Sequence, residues 1–147
     1  MNVGSFITSE KETYGIFSDG YAQSVTDEFI FEYNSLRDVL EKDSLSLMYE
    51  NALGTSKLKH SKIKFLPPLI NPTKIICVGM NYRKPYPIDG QKVSDPNNII
   101  LFGKNREAML AHLDFLESPV GDASNSFDYE GEIEVVFGKQ ARNISPA

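Results

Sequence analysis

The chain has no tryptophan, one cysteine, two histidines and no long hydrophobic run. Each shortage excludes something. With Cys77 as the only cysteine, no internal disulfide can form, which fits a cytoplasmic location. Cys77 lies in an apolar run with no histidine near it in sequence, so it reads as a packed strand residue rather than a nucleophile. The longest apolar stretch, Ile75 to Met80, is far below the ~20 residues of a membrane-spanning helix, which argues against a membrane partner. Residues Met1 to Phe6 carry neither the basic nor the long apolar portion of a secretory signal. Basic residues are outnumbered, 15 against 20, giving a net charge of −5. That balance argues against a nucleic-acid partner, which needs a concentrated basic surface. Phosphate-cradling glycine loops, paired cysteines and the Gly-x-Ser-x-Gly elbow are also missing.

What remains is ordinary globular composition, 41% hydrophobic and 24% charged, over 147 residues. Val3 to Ile7, Thr13 to Phe17 and Tyr21 to Val25 read as strands, the last two joined at Asp19-Gly20, where glycine accepts positive φ. Ser35 caps a predicted helix with Leu36, Val39 and Leu40 on one face. Residues 44 to 53 predict a second helix, stopped at Gly54. Lys62 to Leu66 predicts a short strand. Pro67, Pro68 and Pro72 then form a stiff boundary that neither helix nor central strand crosses. Beyond it, Ile75 to Val78 predicts a strand buried on both faces. Residues 83 to 98 predict a loop, Ile99 to Phe102 a strand, and Asn105 to Leu113 a helix by propensity. The histidines offer no site: His60 lies in a polar stretch expected to be exposed, and both read as structural or solvated.

The chemically informative stretch is Phe127 to Gly138. Asp128 to Phe137 carries the strongest strand alternation in the chain, which would put Glu130, Glu132 and Glu134 on one face. Their backbone positions would be ~7 Å apart, near enough for glutamate side chains to converge on one Mg²⁺ or Mn²⁺ ion. Solvent-facing glutamates are the competing reading, since charges at ~7 Å repel by only ~0.6 kcal/mol in water.

The order of four segments resembles the fumarylacetoacetate hydrolase family. They are Phe65-Leu66-Pro67-Pro68 with Asn71-Pro72-Thr73-Lys74; Ile75 to Arg83, through Gly79-Met80-Asn81-Tyr82; Ile100 to Lys104; and Asp128-Tyr129-Glu130-Gly131-Glu132 through Val136 to Asn143. Tyr14-Gly15-Ile16 with Asp19-Gly20 resembles the family's small N-terminal domain. The resemblance implies an α+β, mainly β fold: a β-rich domain over residues 1–70, then the opening of a mixed β-roll catalytic domain over 71–147. It implies a divalent metal (Mg²⁺ or Mn²⁺), with Glu130 and Glu132 as two of three carboxylate ligands. It further implies a small 2-oxo or 1,3-diketo acid substrate, a homodimer, and C–C hydrolysis, isomerisation or decarboxylation. Arg83 and Lys104 are the candidate catalytic residues, as positive charge near an anionic substrate; solvation is the competing reading of Lys104. The resemblance also makes 105–113 an irregular or short-helix loop.

Two departures qualify the expectation. Family members continue Asn-Tyr-x-x-His with a glutamate soon after, a pair that activates water; here those positions hold Pro85 and Ile88, neither of which can act as a base. The family's third ligand, an aspartate, stands on a later strand, and this sequence stops at Ala147. The alternative expectation is therefore a non-catalytic remnant or binding module.

Overall fold

The computed structural model describes residues 2–9, 11–80, 97–129 and 131–145. Contacts divide them into two units, Met1–Ile70 with Leu110–Ala147, and Asn71–Met109. The fold is α+β and mainly β.

The first unit begins with an antiparallel meander, β1 (Asn2–Ile7), β2 (Glu12–Ser18) and β3 (Tyr21–Ser24). The turn between β2 and β3 places Asp19 at φ 47° and Gly20 at φ 80°. Two positive φ values are what a two-residue hairpin needs to match strand twist, so the Asp-Gly reading holds. Two short edge strands, β4 (Leu58–Lys59) and β5 (Lys64–Phe65), complete the order β4-β3-β2-β1-β5.

Three helices contribute to the core: α1 (Asp27–Glu32), α2 (Leu36–Glu41) and α3 (Leu45–Leu53). Sequence reading missed α1, whose N-cap Thr26 accepts the Phe29 amide. Ser35 caps α2 by accepting the Asp38 amide, and Gly54 follows α3, both as expected. Tyr14 and Ile16, two apart on β2, share a face. They pack with Val25, Phe29, Leu36, Val39 and Met48 into one buried cluster. Buried Gln23 sends its amide to the carbonyls of Ala52, Leu53 and Thr55, satisfying backbone acceptors at the end of α3.

A buried polar link crosses this core. The Tyr14 hydroxyl donates to the Tyr33 carbonyl at 2.5 Å. Burial raises the Tyr14 pKa well above its ordinary value, with the charge of Asp38 and then Tyr33 adding to the effect. A raised acid pKa means the folded state keeps a proton that the unfolded chain releases above about pH 10. Stability should therefore fall as pH climbs past that value. Tyr14→Phe should remove this alkaline loss while costing about 1–3 kcal/mol at neutral pH. Urea unfolding at neutral and alkaline pH measures both effects.

The opposite sheet face is aromatic. Phe17 lies 5.4 Å from Phe6 and 5.7 Å from Phe65 between ring centroids, and His60 sits edge-on to Phe17 and Phe65. His60 is half-buried rather than exposed. Its polar neighbours in sequence hid the two rings that cover it.

The second unit pairs β6 (Ile75–Gly79) antiparallel with β7 (Ile100–Lys104), Ile75 opposite Lys104. Here the expectation of a strand buried on both faces fails: Ile76 is 62% exposed. Among the described residues each strand has one neighbour, and a two-stranded ribbon covers neither face. Of the predicted helix over 105–113, only a 3-10 turn at Arg106–Ala108 forms, in keeping with the irregular loop that the resemblance implied. Gly121–Ser126, in the first unit, forms another 3-10 segment, as does His60–Lys62.

The predicted strand over Asp128 to Phe137 is likewise corrected. Residues 127–129 and 131–137 have no regular secondary structure and no strand partner among the described residues. Ile133 is 84% and Phe137 77% exposed. Alternation is a local signal, whereas a strand needs a ladder partner and an apolar surface to cover its inner face.

Candidate metal and substrate site

The residues singled out for chemistry fall in different places. Glu130 and Arg83 lie outside the described residues, as do Pro85 and Ile88. Glu132 and Glu134 are exposed and outside regular structure, so the shared strand face expected for them does not form. Glu132 makes no hydrogen bond or ion pair among the described residues. Lys104 ends β7, exposed and opposite Ile75.

Among the described residues, no three His, Cys, Asp or Glu side chains stand together as a metal-holding group. The donor chemistry of Glu132 nevertheless suits a hard divalent ion: an exposed carboxylate with no other partner among the described residues. Residues before and after it make contacts with residues 1–70 of the same unit. Upstream, Asp114 pairs with Lys64 at 3.4 Å. Downstream, the Lys139 ammonium reaches Asp43 at 2.8 Å, and Gly138 lies against Leu40. At the head of the acidic stretch, the Asp128 carboxylate accepts the Tyr129 amide at 2.8 Å. Sequence reading gave no role to Lys64 or Asp114. Oppositely charged residues so far apart in sequence leave no local signal.

Comparison with known proteins bears directly on this stretch. The profile described as Fumarylacetoacetate (FAA) hydrolase C-terminal matches residues 74–147, half of the chain. The chain belongs to the fumarylacetoacetate hydrolase family. Within that family it is 36% identical over 109 residues to the mitochondrial oxaloacetate tautomerase fahd2 of Xenopus laevis, covering 66% of this chain and 32% of that protein. It is 30% identical over 120 residues to the oxaloacetate tautomerase YisK of Bacillus subtilis, covering 81% of this chain and 38% of that protein. A fumarylacetoacetate hydrolase domain-containing protein 2 homolog of Dictyostelium discoideum is 36% identical over 95 residues, 65% of this chain and 30% of that protein. The chain thus spans about a third of the length of these relatives. No solved structure matches it significantly. Among the described residues no helix is long and apolar enough to cross a membrane.

Membership makes the family's positions readable here. Glu130 and Glu132 fall inside the matched region, as do Lys104 and the departures at Pro85 and Ile88.

Proposed function

We propose that this protein is a divalent-metal-dependent oxo-acid enzyme and that its reaction is keto–enol tautomerisation of a small 2-oxo acid of the oxaloacetate type. The observation that carries this reading is the similarity of up to 36% to proteins named oxaloacetate tautomerase. The substitutions at Pro85 and Ile88 support it. A histidine–glutamate pair serves to activate water for hydrolysis, and neither proline nor isoleucine can take a proton from water. Tautomerisation only moves a proton between carbon and oxygen and consumes no water.

Glu130 and Glu132 would hold Mg²⁺ or Mn²⁺. Such an ion supplies positive charge that favours the enolate form of a bound oxo acid. The chain's own cations have a different task. A protein of net charge −5 repels a dianionic substrate at long range, and Arg83 and Lys104 would offset that field locally. A homodimer is proposed as the working assembly. The second reading, a non-catalytic binding module, draws on the same two substitutions and on the absence of a three-ligand group among the described residues.

Calorimetric titration of Mg²⁺ separates the two readings. Wild type should bind, and Glu130→Gln should bind at least about tenfold more weakly, because the loss of a carboxylate removes both a ligand and a charge. Equal binding by the two proteins, or none by wild type, favours the module.

A further inference from the structure

We propose that residues 111–114 form a clasp on the N-terminal sheet. It would hold the stretch leading to the acidic segment and open without unfolding the sheet. Its keystone is Asp114, whose two carboxylate oxygens are used differently. Oδ2 accepts the Ala111 amide at 3.2 Å, closing a turn in which the Asp114 amide returns to the Ala111 carbonyl at 3.1 Å. Oδ1 faces the Lys64 ammonium at 3.4 Å. The neighbouring residue on β5 makes the other contact: the Phe65 ring meets His112 edge-on, with centroids 5.2 Å apart. Two adjacent residues of one edge strand therefore grip two residues of one turn.

The turn's own hydrogen bonds work against a strained backbone. Leu113 sits at φ 70°, a left-handed backbone that a leucine adopts only when its surroundings impose it, and its side chain is exposed. Closure therefore depends on Asp114 and on the β5 contacts. These are few and partly solvated, while the sheet beneath rests on a buried core. Local opening at lower free energy than global unfolding follows from that contrast. The second attachment of this stretch, Lys139 to Asp43, is an exposed ion pair, so opening at the clasp leaves the described residues 115–129 and 131–137 on a weak tether. Such a device would let the acidic segment move while its support stays folded.

Hydrogen exchange of the full chain, followed amide by amide by NMR, tests this. In wild type the Ala111 and Asp114 amides should be protected, but less than Val25, whose amide donates to Tyr14 within the core unit. Asp114→Ala removes both uses of the carboxylate and should speed exchange at Ala111 roughly five- to thirtyfold, leaving Val25 unchanged. Lys64→Met removes only the ion pair and should give an acceleration of about fivefold or less at the same amide. Wild-type Ala111 and Asp114 amides without protection would overturn the clasp. So would unchanged exchange in Asp114→Ala, or acceleration that includes Val25 in both variants. The measurement involves neither metal nor substrate, so it stands apart from any failure of the enzymatic reading.

Discussion

Replacing Gly15 by alanine should destabilise the N-terminal unit by about 3 kcal/mol or more. Gly15 occupies the centre of β2, paired with Gly4 on one side and Ser24 on the other. A Cβ built there would stand 2.0 Å from the Gln23 carbonyl oxygen and 2.9 Å from the Ser24 Cα. Both obstacles are backbone, so no side-chain rotation relieves the clash. To admit one methyl group, β3 must move away from β2. That shift would disturb the ladder between them and Gln23, whose amide serves three carbonyls near the end of α3. A small domain has only about 5–15 kcal/mol of net stability, so the loss is a large share of it. Gly54→Ala is the matched control. Gly54 lies in right-handed helical backbone, and an added Cβ would come no closer than 3.4 Å to its nearest neighbour, the Asn51 carbonyl oxygen. Its effect should stay within about 1 kcal/mol. Urea unfolding followed by circular dichroism compares the two variants. A Gly15→Ala protein within 0.5 kcal/mol of wild type, roughly the scatter of neutral surface changes, would show that the close approach is not a constraint.

The contrast between the two glycines shows where sequence reading reached its limit. Gly54 and Ser35 were legible because a helix stop and a helix cap act within a few residues. Asp19-Gly20 was legible for the same reason: positive φ at two successive positions is a local demand, and the observed angles meet it. Gly15 gave no sign of its role, since what forbids a side chain there is a strand several residues away. The same distinction explains the failures. Ile75 to Val78 and Asp128 to Phe137 carry sound strand patterns, yet burial and pairing depend on neighbours that the pattern does not contain. Among the described residues, one acquires a single partner and the other none. His60 errs in the opposite direction, polar in sequence but covered by Phe17 and Phe65.

The candidate site was readable in a different way. Alternating glutamates suggest an ion only weakly, because solvated carboxylates repel one another so little. It was the order of four segments that pointed to a family, and the profile match over residues 74–147 establishes that family. Residue identity thus places Glu130 and Glu132 inside the matched region, while Glu132 itself stands outside regular structure. The contacts that fasten their surroundings, Lys64 with Asp114 and Asp43 with Lys139, belong to tertiary structure and had no sequence signature.

Oxaloacetate in its enol form should convert to the keto form faster when the protein and Mg²⁺ or Mn²⁺ are both present, and Glu132→Gln should abolish most of that acceleration. The effect is one of charge. An enolate carries more negative charge on oxygen than the keto form does, and an ion held by Glu130 and Glu132 would supply positive charge that favours it. Substituting glutamine for Glu132 removes the charge of a proposed ligand while nearly preserving side-chain shape. Residues that merely orient metal ligands are worth about 10–100-fold in affinity or activity, so loss of a ligand should cost at least about 100-fold. Glu132 is exposed and outside regular structure, so the substitution should leave the stability of the N-terminal core unchanged. The decisive measurement is the decay of enol absorbance in the ultraviolet, with and without metal, for wild type and Glu132→Gln. The account predicts metal-dependent acceleration by wild type and a loss of about 100-fold or more in the variant. Equal acceleration by both proteins, or no acceleration by wild type with metal present, would contradict it.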